Sequence, residues 1–173
     1  MARGKPARDE PLEPRDLEAA ALRYLNRFDC SVQKLRRHLS LLIRRRGGDA
    51  LALGDALEAL LARYQQNGLL NDARFAQNLG ERLQERGASR RLILAKLRAR
   101  GISNADAESS VPRSREAELA AARALVRKKR LGPYRAEEER QSLRRRDLAT
   151  LARAGFDHEV AIRALGHGTE DDF

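Results

Sequence analysis

The sequence predicts an all-α protein, arranged as an elongated, curved array of three tandem three-helix repeats. Apolar residues recur at steps of three and four positions along most of the chain, which is the spacing of one face of an α-helix. No run rich in Val, Ile and Thr alternates with polar residues, as the residues of a half-buried strand would. A stretch in the middle of the chain is similar to another near its end, and this similarity indicates an internal repeat.

Residues typical of helix ends divide the chain into short helices. Five polar residues can accept a hydrogen bond from the free amides of a first helical turn. They are Ser31, Asn71, Ser89, Ser103 and Asp157. Five glycines can take the left-handed conformation that ends a helix. They are Gly47, Gly68, Gly87, Gly101 and Gly155. Pro133 cannot continue a helix, so we expect a turn at Gly132–Tyr134.

Apolar stripes on these helices predict the core. The stripe of the first helix contains Leu17, Ala21, Tyr24, Leu25 and Phe28. We expect Phe28 to be buried in the core, together with Phe75 and Phe156. Because these rings are assigned to the core and the chain has no Trp, few aromatic side chains remain to stack on nucleobases. Coating of single-stranded nucleic acid is therefore disfavoured.

The internal repeat is clearest where "LRARGISNADAESSV" (97–111) is aligned with "LARAGFDHEVAIRAL" (151–165). The alignment pairs Gly101 with Gly155 at a spacing of about 54 residues. A unit of this size is too small to bury its apolar stripes alone, so we expect neighbouring units to stack. A single irregular helical bundle remains the alternative. The predicted division is a flexible lead at 1–15, repeats at 16–68, 69–112 and 113–166, and a flexible acidic tail at 167–173.

The sequence predicts no catalytic, metal or cofactor site. Cys30 is alone, and His38, His158 and His167 are scattered, so no cluster has the spacing of a zinc site. The chain also lacks a phosphate-binding glycine loop and a zinc-protease motif. We therefore expect a protein that is not an enzyme and needs no cofactor. A lone cysteine, with no signal peptide and no run of about 18 apolar residues, favours the reducing cytoplasm.

Positive charge dominates the chain and predicts an acidic partner. It has 35 Lys and Arg against 25 Asp and Glu, a net charge of +10, which attracts polyanions and acidic protein surfaces. Three runs without an acid, at 34–46, 86–100 and 123–135, each contain six cations. Stacked repeats would align such runs into one basic stripe, whereas the alternative is that each run only coats a solvated helix face. The candidate residues for contact with a partner or with the DNA backbone are Arg86, Arg90, Arg91, Lys96, Arg98, Arg100, Arg127, Lys128, Lys129, Arg130, Tyr134, Arg135, Arg144 and Arg145.

The distribution of these cations disfavours sequence-specific reading of duplex DNA. In a helix-turn-helix protein the cations lie on the helix that follows the turn and enters the major groove. Here that helix carries Asp106 and Glu108 and no Lys or Arg, and the helix after Gly155 carries only Arg163. The remaining interpretations are attraction to phosphates without a sequence code, or docking against an acidic protein surface.

Four segments of the chain together resemble the RecX family of recombinase regulators, over roughly residues 16–166. They are "YQQNGLLNDARFA" from Tyr64, "GASRRLILAKLRARGI" from Gly87, "RKKRLGPYR" from Arg127 and "RRRDLATLARAGFDHEVAIRAL" from Arg144. The resemblance implies an all-α protein of three three-helix units that binds the filament of the RecA recombinase and inhibits or modulates its assembly, ATPase and strand exchange. It also implies weak contact with the DNA backbone. We expect a monomer without a cofactor. The alternative function is a helical module that binds nucleic acid without sequence preference.

Overall fold

The computed structural model describes residues 11–111 and 113–166. Within this part of the chain every regular element is helical, so the predicted all-α class is confirmed. A short 3-10 helix occupies Gly132–Tyr134, where the turn is predicted. The α-helices are α1 (Pro14–Leu25), α2 (Val32–Arg46), α3 (Ala50–Gln66), α4 (Asp72–Glu85), α5 (Arg90–Arg98), α6 (Asn104–Ser110), α7 (Arg115–Lys129), α8 (Glu137–Arg153) and α9 (His158–Leu165).

Some predictions concern residues outside the described ranges. The acidic tail with His167 and the first ten residues of the predicted lead are among them. At the other end of that lead, Leu12 is buried, with 4% of its surface exposed, and α1 begins at Pro14.

All five predicted helix caps are confirmed. The Ser31 hydroxyl accepts the Lys34 N–H at 3.2 Å and so caps the first turn of α2. The other four predicted caps accept a backbone N–H three residues ahead in the same way; they are Asn71, Ser89, Ser103 and Asp157. Two caps that the sequence reading missed, Asp49 and Ser114, begin α3 and α7. All five predicted glycine stops have positive φ angles.

The chain folds as two compact units. Unit 1 contains residues 1–75 with 100–102, and its core is a cluster of leucines from α1, α2 and α3 that includes Leu17, Leu35 and Leu61. Unit 2 contains residues 76–99 with 103–173, and an apolar cluster in it joins α7, α8 and α9. The division into three repeats stays a prediction.

The core position predicted for Phe28 is wrong, because 50% of this side chain is exposed. Helix α1 ends at Leu25 and residues 26–27 form a turn, after which the Phe28 ring lies on the half-buried Tyr24 ring and does not enter the leucine core. Phe75 and Phe156 are buried as predicted, with 5% and 4% exposed.

One hydrogen bond recurs at equivalent positions of the two units. The Ser31 hydroxyl donates to the Arg100 carbonyl at 2.6 Å, and the Ser89 hydroxyl donates to the Ala154 carbonyl at 2.6 Å. Both serines are fully buried. Each serine thus accepts an amide proton from its own helix and donates to the end of another helix, where a carbonyl has no helical partner. One buried hydroxyl thus bonds to a free amide at a helix start and to a free carbonyl at a helix end.

A glycine directly follows each of these two carbonyls. Gly101 and Gly155 have φ angles of +78° and +97°. A Cβ added at Gly155 would lie 2.5 Å from the Ser89 Oγ, and one at Gly101 would lie 2.5 Å from the Gln33 Cβ. Both positions therefore require glycine for two reasons, the backbone conformation and the close approach of a neighbouring helix start. The pairing of Gly101 with Gly155 in the sequence alignment reflects this shared packing.

We predict that Ser89→Ala lowers the free energy of unfolding by about 2 kcal/mol, because it removes a cap and leaves the Ala154 carbonyl without the buried hydroxyl that bonds to it. Urea denaturation followed by circular dichroism measures this change. Ser142→Ala is the matched control, since the exposed Ser142 hydroxyl bonds only to a carbonyl of its own helix, and it should change stability by less than about 0.5 kcal/mol. Equal stability of the two variants would contradict the role given to Ser89.

Candidate interaction surface

A cluster of exposed cations lies at the C-terminal end of α7. Arg127, Lys128, Lys129 and Arg130 are consecutive and exposed, and none of them takes part in an ion pair of the described residues. Arg130 has a left-handed backbone, with φ +51° and ψ +50°, and its N–H bonds to the Arg127 carbonyl. Cations at this end of a helix are stabilised by the helix dipole. The cluster is therefore favourable for the fold and still available to a partner.

A buried ion pair fixes the turn that follows this cluster. The Asp147 side chain is 1% exposed and accepts the Gly132 N–H at 2.9 Å. Its two oxygens also accept hydrogen bonds from Nε and Nη2 of Arg135, at 2.9 and 2.8 Å. The two side chains thus form a bidentate ion pair. The 3-10 helix between Gly132 and Arg135 is thereby held against α8, and 54% of Tyr134 remains exposed. Sequence reasoning missed Asp147, whose only signal was a lone acid inside a basic run.

The Asp147–Arg135 pair also sets the protonation of the carboxylate. Burial is the largest single influence and raises the pKa of Asp147, but the hydrogen bonds from Arg135 and from the Gly132 N–H, with the charge of Arg135, outweigh it. The net pKa of Asp147 is lower than the ordinary value of an aspartate, so this carboxylate stays ionised in the folded protein. Arg135 is correspondingly occupied inside unit 2 and has a structural role.

Two candidate arginines of α5 are bound to α6 and the segment after it. Arg90 donates to the Glu108 carboxylate and, through Nε, to the Val111 carbonyl at 2.9 Å. Arg98 donates to Glu108 at 3.2 Å and to the Asn104 side chain at 2.8 Å. The hydrogen bond from Arg90 is the main reason that the pKa of Glu108 is lowered. These cations hold the short helix α6 in place and are less available to a partner.

The N-terminus of α5 is also joined to α7. The backbone N–H of Arg90 donates to the Glu118 carboxylate, at 3.0 Å to the nearer oxygen. Burial raises the pKa of Glu118, against the smaller opposing effect of this hydrogen bond. The half-buried carboxylate thus closes the first turn of α5, where a helix dipole favours negative charge.

The remaining candidates divide between exposed and partly engaged side chains. Arg86, Arg91 and Arg145 are exposed. Arg144 is half-buried and its Nη1 lies 3.5 Å from the Gly166 carbonyl. Two further candidates, Lys96 and Arg100, make interactions within the chain.

A groove, a buried thiol and the placement of metal-ligating side chains bear on the prediction of no catalytic site. An open groove of about 450 Å³ between α4 and α7 is lined by four alanines with Glu81, Gln84 and Glu85, and it contains no His or Cys. Burial raises the pKa of the Cys30 thiol to about 11, so this thiol is protonated at neutral pH. In residues 11–111 and 113–166 no group of three His, Cys, Asp or Glu side chains is placed to hold a metal ion. No helix in these ranges is long and apolar enough to cross a bilayer.

Comparisons with known proteins identify the family. The chain is 40% identical to the regulatory protein RecX of Myxococcus xanthus (strain DK1622) over 175 aligned residues, which cover 92% of this chain and 89% of that protein. The chain belongs to the RecX family. The resemblance found in the sequence is therefore confirmed, and the relatives are named as regulatory proteins rather than as enzymes.

Other members of the RecX family match over similar lengths. The regulatory protein RecX of Streptomyces coelicolor is 33% identical over 98% of this chain and 85% of its own length. That of Halorhodospira halophila is 33% identical over 88% of both chains. Residues 71–110 match the family model described as RecX, second three-helix domain, and this range holds α4, α5 and α6. No solved structure matches the chain.

We predict that Asp147→Asn lowers the free energy of unfolding by about 3 kcal/mol at pH 7, because it leaves the Arg135 guanidinium without its buried partner. A carboxylate whose pKa is lowered by folding stabilises the folded state above its ordinary value of 3.8, and this contribution is lost as the pH falls through the folded pKa. The wild-type chain should therefore lose more stability between about pH 5 and pH 3 than the variant does.

Urea denaturation at both pH values measures the difference. Glu138→Gln, which neutralises an exposed carboxylate on the same helix, is the control and should behave as the wild type at pH 7. Equal pH dependence in wild type and Asp147→Asn would show that this pair does not contribute as described.

Proposed function

We propose that this chain binds the filament of the RecA recombinase and modulates its assembly, its ATPase activity and strand exchange. The observation that carries the proposal is the match to proteins named regulatory protein RecX over nearly the whole chain. The expected outcome of binding is restraint of the filament, and no chemical step by this chain is required for it.

The contact surface that we propose is the basic loop, defined as Arg127, Lys128, Lys129, Arg130 and Tyr134. Its four cations are exposed and outside the ion pairs of the described residues, so little internal interaction has to be broken on binding. A half-exposed tyrosine supplies a rigid apolar surface of the kind enriched at binding hot spots. The clamp of Asp147 on the turn supports the proposal, because a preorganised loop loses less conformational entropy when it binds.

The other candidate residues contribute to this proposal either as exposed charges or through the stability of the fold. Arg86, Arg91 and Arg145 are exposed and would add to the positive field around the partner. Arg90 and Arg135 act through the fold, since each is held by a carboxylate of unit 2. Their replacement should therefore change stability first and partner binding as a consequence.

We also propose the organisation and setting that the sequence suggested. Three three-helix units at 16–68, 69–112 and 113–166 would make up a monomer that acts in the cytoplasm. The recurrent bonds of Ser31 and Ser89 to helix ends support units with equivalent packing.

The alternative function, binding of nucleic acid without sequence preference, is favoured by the net charge of +10. It predicts tight binding to DNA in the absence of recombinase and a steep loss of affinity as salt rises. The two functions are separated by assays with and without the recombinase.

We predict that Lys128→Glu/Lys129→Glu weakens the effect on RecA about tenfold, because it reverses charge at the centre of the basic loop. The measurement is a titration into preformed recombinase filaments, with filament length followed by electron microscopy and ATP hydrolysis followed in parallel. Arg82→Glu/Arg153→Glu is the control of equal charge change, since these exposed side chains bond to carbonyls of their own helices. The control should retain nearly the wild-type effect.

Two results would contradict these proposals. If excess wild-type protein leaves filament length and ATP hydrolysis unchanged, the proposed function is wrong. If the double variant and its control are equally potent, the function stands but the basic loop is not the contact surface.

A further inference from the structure

Three rings lie in contact on the surface of unit 1. The Tyr24 ring stacks on the His38 ring, with centroids 4.2 Å apart and planes inclined by 27°. The Phe28 ring lies on Tyr24 as well, at 5.1 Å and 44°. We call these three side chains the aromatic platform. It joins the last turn of α1, the loop after it and the middle of α2.

The platform is accessible to a ligand. Half of the Phe28 surface is exposed and His38 is exposed, while Tyr24 is half-buried against the leucine core. The inner ring is therefore anchored, and the two outer rings have free surface. Because half of its surface is exposed, Phe28 gains only part of the stabilisation that a buried phenylalanine gives. The exposed part of the ring remains available as a binding surface.

The His38 ring adds to the platform as a neutral aromatic group. Partial burial, and secondarily the charge of Arg45, lower the pKa of His38 below its ordinary value of 6.5. At neutral pH the ring is therefore mainly uncharged and offers an aromatic face for stacking.

Cations flank the rings on the exposed face of α2. Lys34, His38, Leu41 and Arg45 follow one another at helical spacing and are all exposed, so they share one side of the helix. Between residues 24 and 46 the sequence has seven Lys and Arg and a single acid, Asp29. Stacking surface and positive charge thus occur together.

We propose that the aromatic platform binds the bases of a single-stranded nucleic acid, with Lys34 and Arg45 contacting its phosphates. Proteins that bind single strands combine a positively charged track with aromatic side chains on which bases stack. Duplex DNA does not offer such faces, because its bases are already stacked on one another. An acidic protein surface would pair with the cations, but its carboxylates would offer no flat aromatic face on which the rings could stack.

This inference does not depend on the proposed function. The site is in unit 1, whereas the basic loop is in unit 2, and the oligonucleotide titrations that test it contain no recombinase. It also revises the sequence-based argument against single-strand binding, which placed Phe28 in the core.

The test compares two fluorescein-labelled probes about a dozen units long. One is a thymidine oligomer, and the other is an abasic oligomer with the same sugar-phosphate backbone. Anisotropy titration of the full chain should give tighter binding to the thymidine oligomer. Phe28→Ala should weaken that binding about tenfold and leave the abasic oligomer almost unaffected, because only stacking is lost.

One further variant separates stacking from packing, and a second serves as its control. Phe28→Leu keeps an apolar side chain over Tyr24 but lacks an aromatic face, so it should also lose the preference for bases. Leu51→Ala is the matched control, because Leu51 is 77% exposed in the same unit and is remote in sequence from the three rings. It should bind both probes as the wild type does.

A direct reporter is available because the chain contains no tryptophan. Phe28→Trp should retain binding, and its fluorescence should be quenched by the thymidine oligomer but not by the abasic one. In the matched variant Leu51→Trp, the fluorescence should not respond to either probe.

Equal affinity of the wild type for the two probes would overturn the proposal. So would a folded Phe28→Leu variant that retains the preference for bases. If Phe28→Ala instead weakens the effect on recombinase filaments with unchanged binding to the thymidine oligomer, the platform is a protein contact and the inference is wrong.

Discussion

The fold depends on two buried serine hydroxyls that each pair two helix ends. A hydroxyl is one donor and also an acceptor, and Ser31 and Ser89 use both capacities, toward an amide of their own helix and toward a carbonyl that ends another. The carbonyl is reached only because glycine follows it at both places and leaves room for the approaching helix start. Short helices expose many unpaired backbone groups at their ends. Pairing these groups with each other lets helices of modest length pack closely without burying an unsatisfied amide or carbonyl.

Local features of the fold were predictable from the sequence because their causes are local. A serine or aspartate at a helix start, or a glycine at its end, acts through atoms within a few residues, so the caps and stops could be located without knowledge of the fold. Phe28 was assigned wrongly because a stripe of apolar residues continues in the sequence past the point where α1 ends. The partners of Ser31 and Ser89 lie more than sixty residues away, at Arg100 and Ala154, and no local pattern indicates them.

The basic runs could be located from the sequence, but the sequence did not show which of their cations are exposed and which are held in ion pairs. Counting cations located the basic runs correctly, since charge is a property of the sequence. Which cation is available is decided by tertiary neighbours. Arg135 and Lys129 belong to the same run, yet the first is held by the buried Asp147 and the second has no ion-pair partner among the described residues. The run therefore contains one cation that stabilises the fold, Arg135, and a cluster of exposed cations. Replacing the first should change stability, whereas replacing the second should change binding.

At Arg130, backbone conformation and positive charge favour different residues. Its left-handed backbone, with φ +51°, is a conformation that costs a side-chain-bearing residue roughly 1 kcal/mol or more and that glycine adopts freely. The other end-of-helix positions with positive φ in the described chain are glycines. Glycine would relieve this torsion, but it would also remove a cation beside Lys129. Backbone ease and positive charge are therefore opposed at this corner of the molecule, and arginine provides the charge with a less favourable turn.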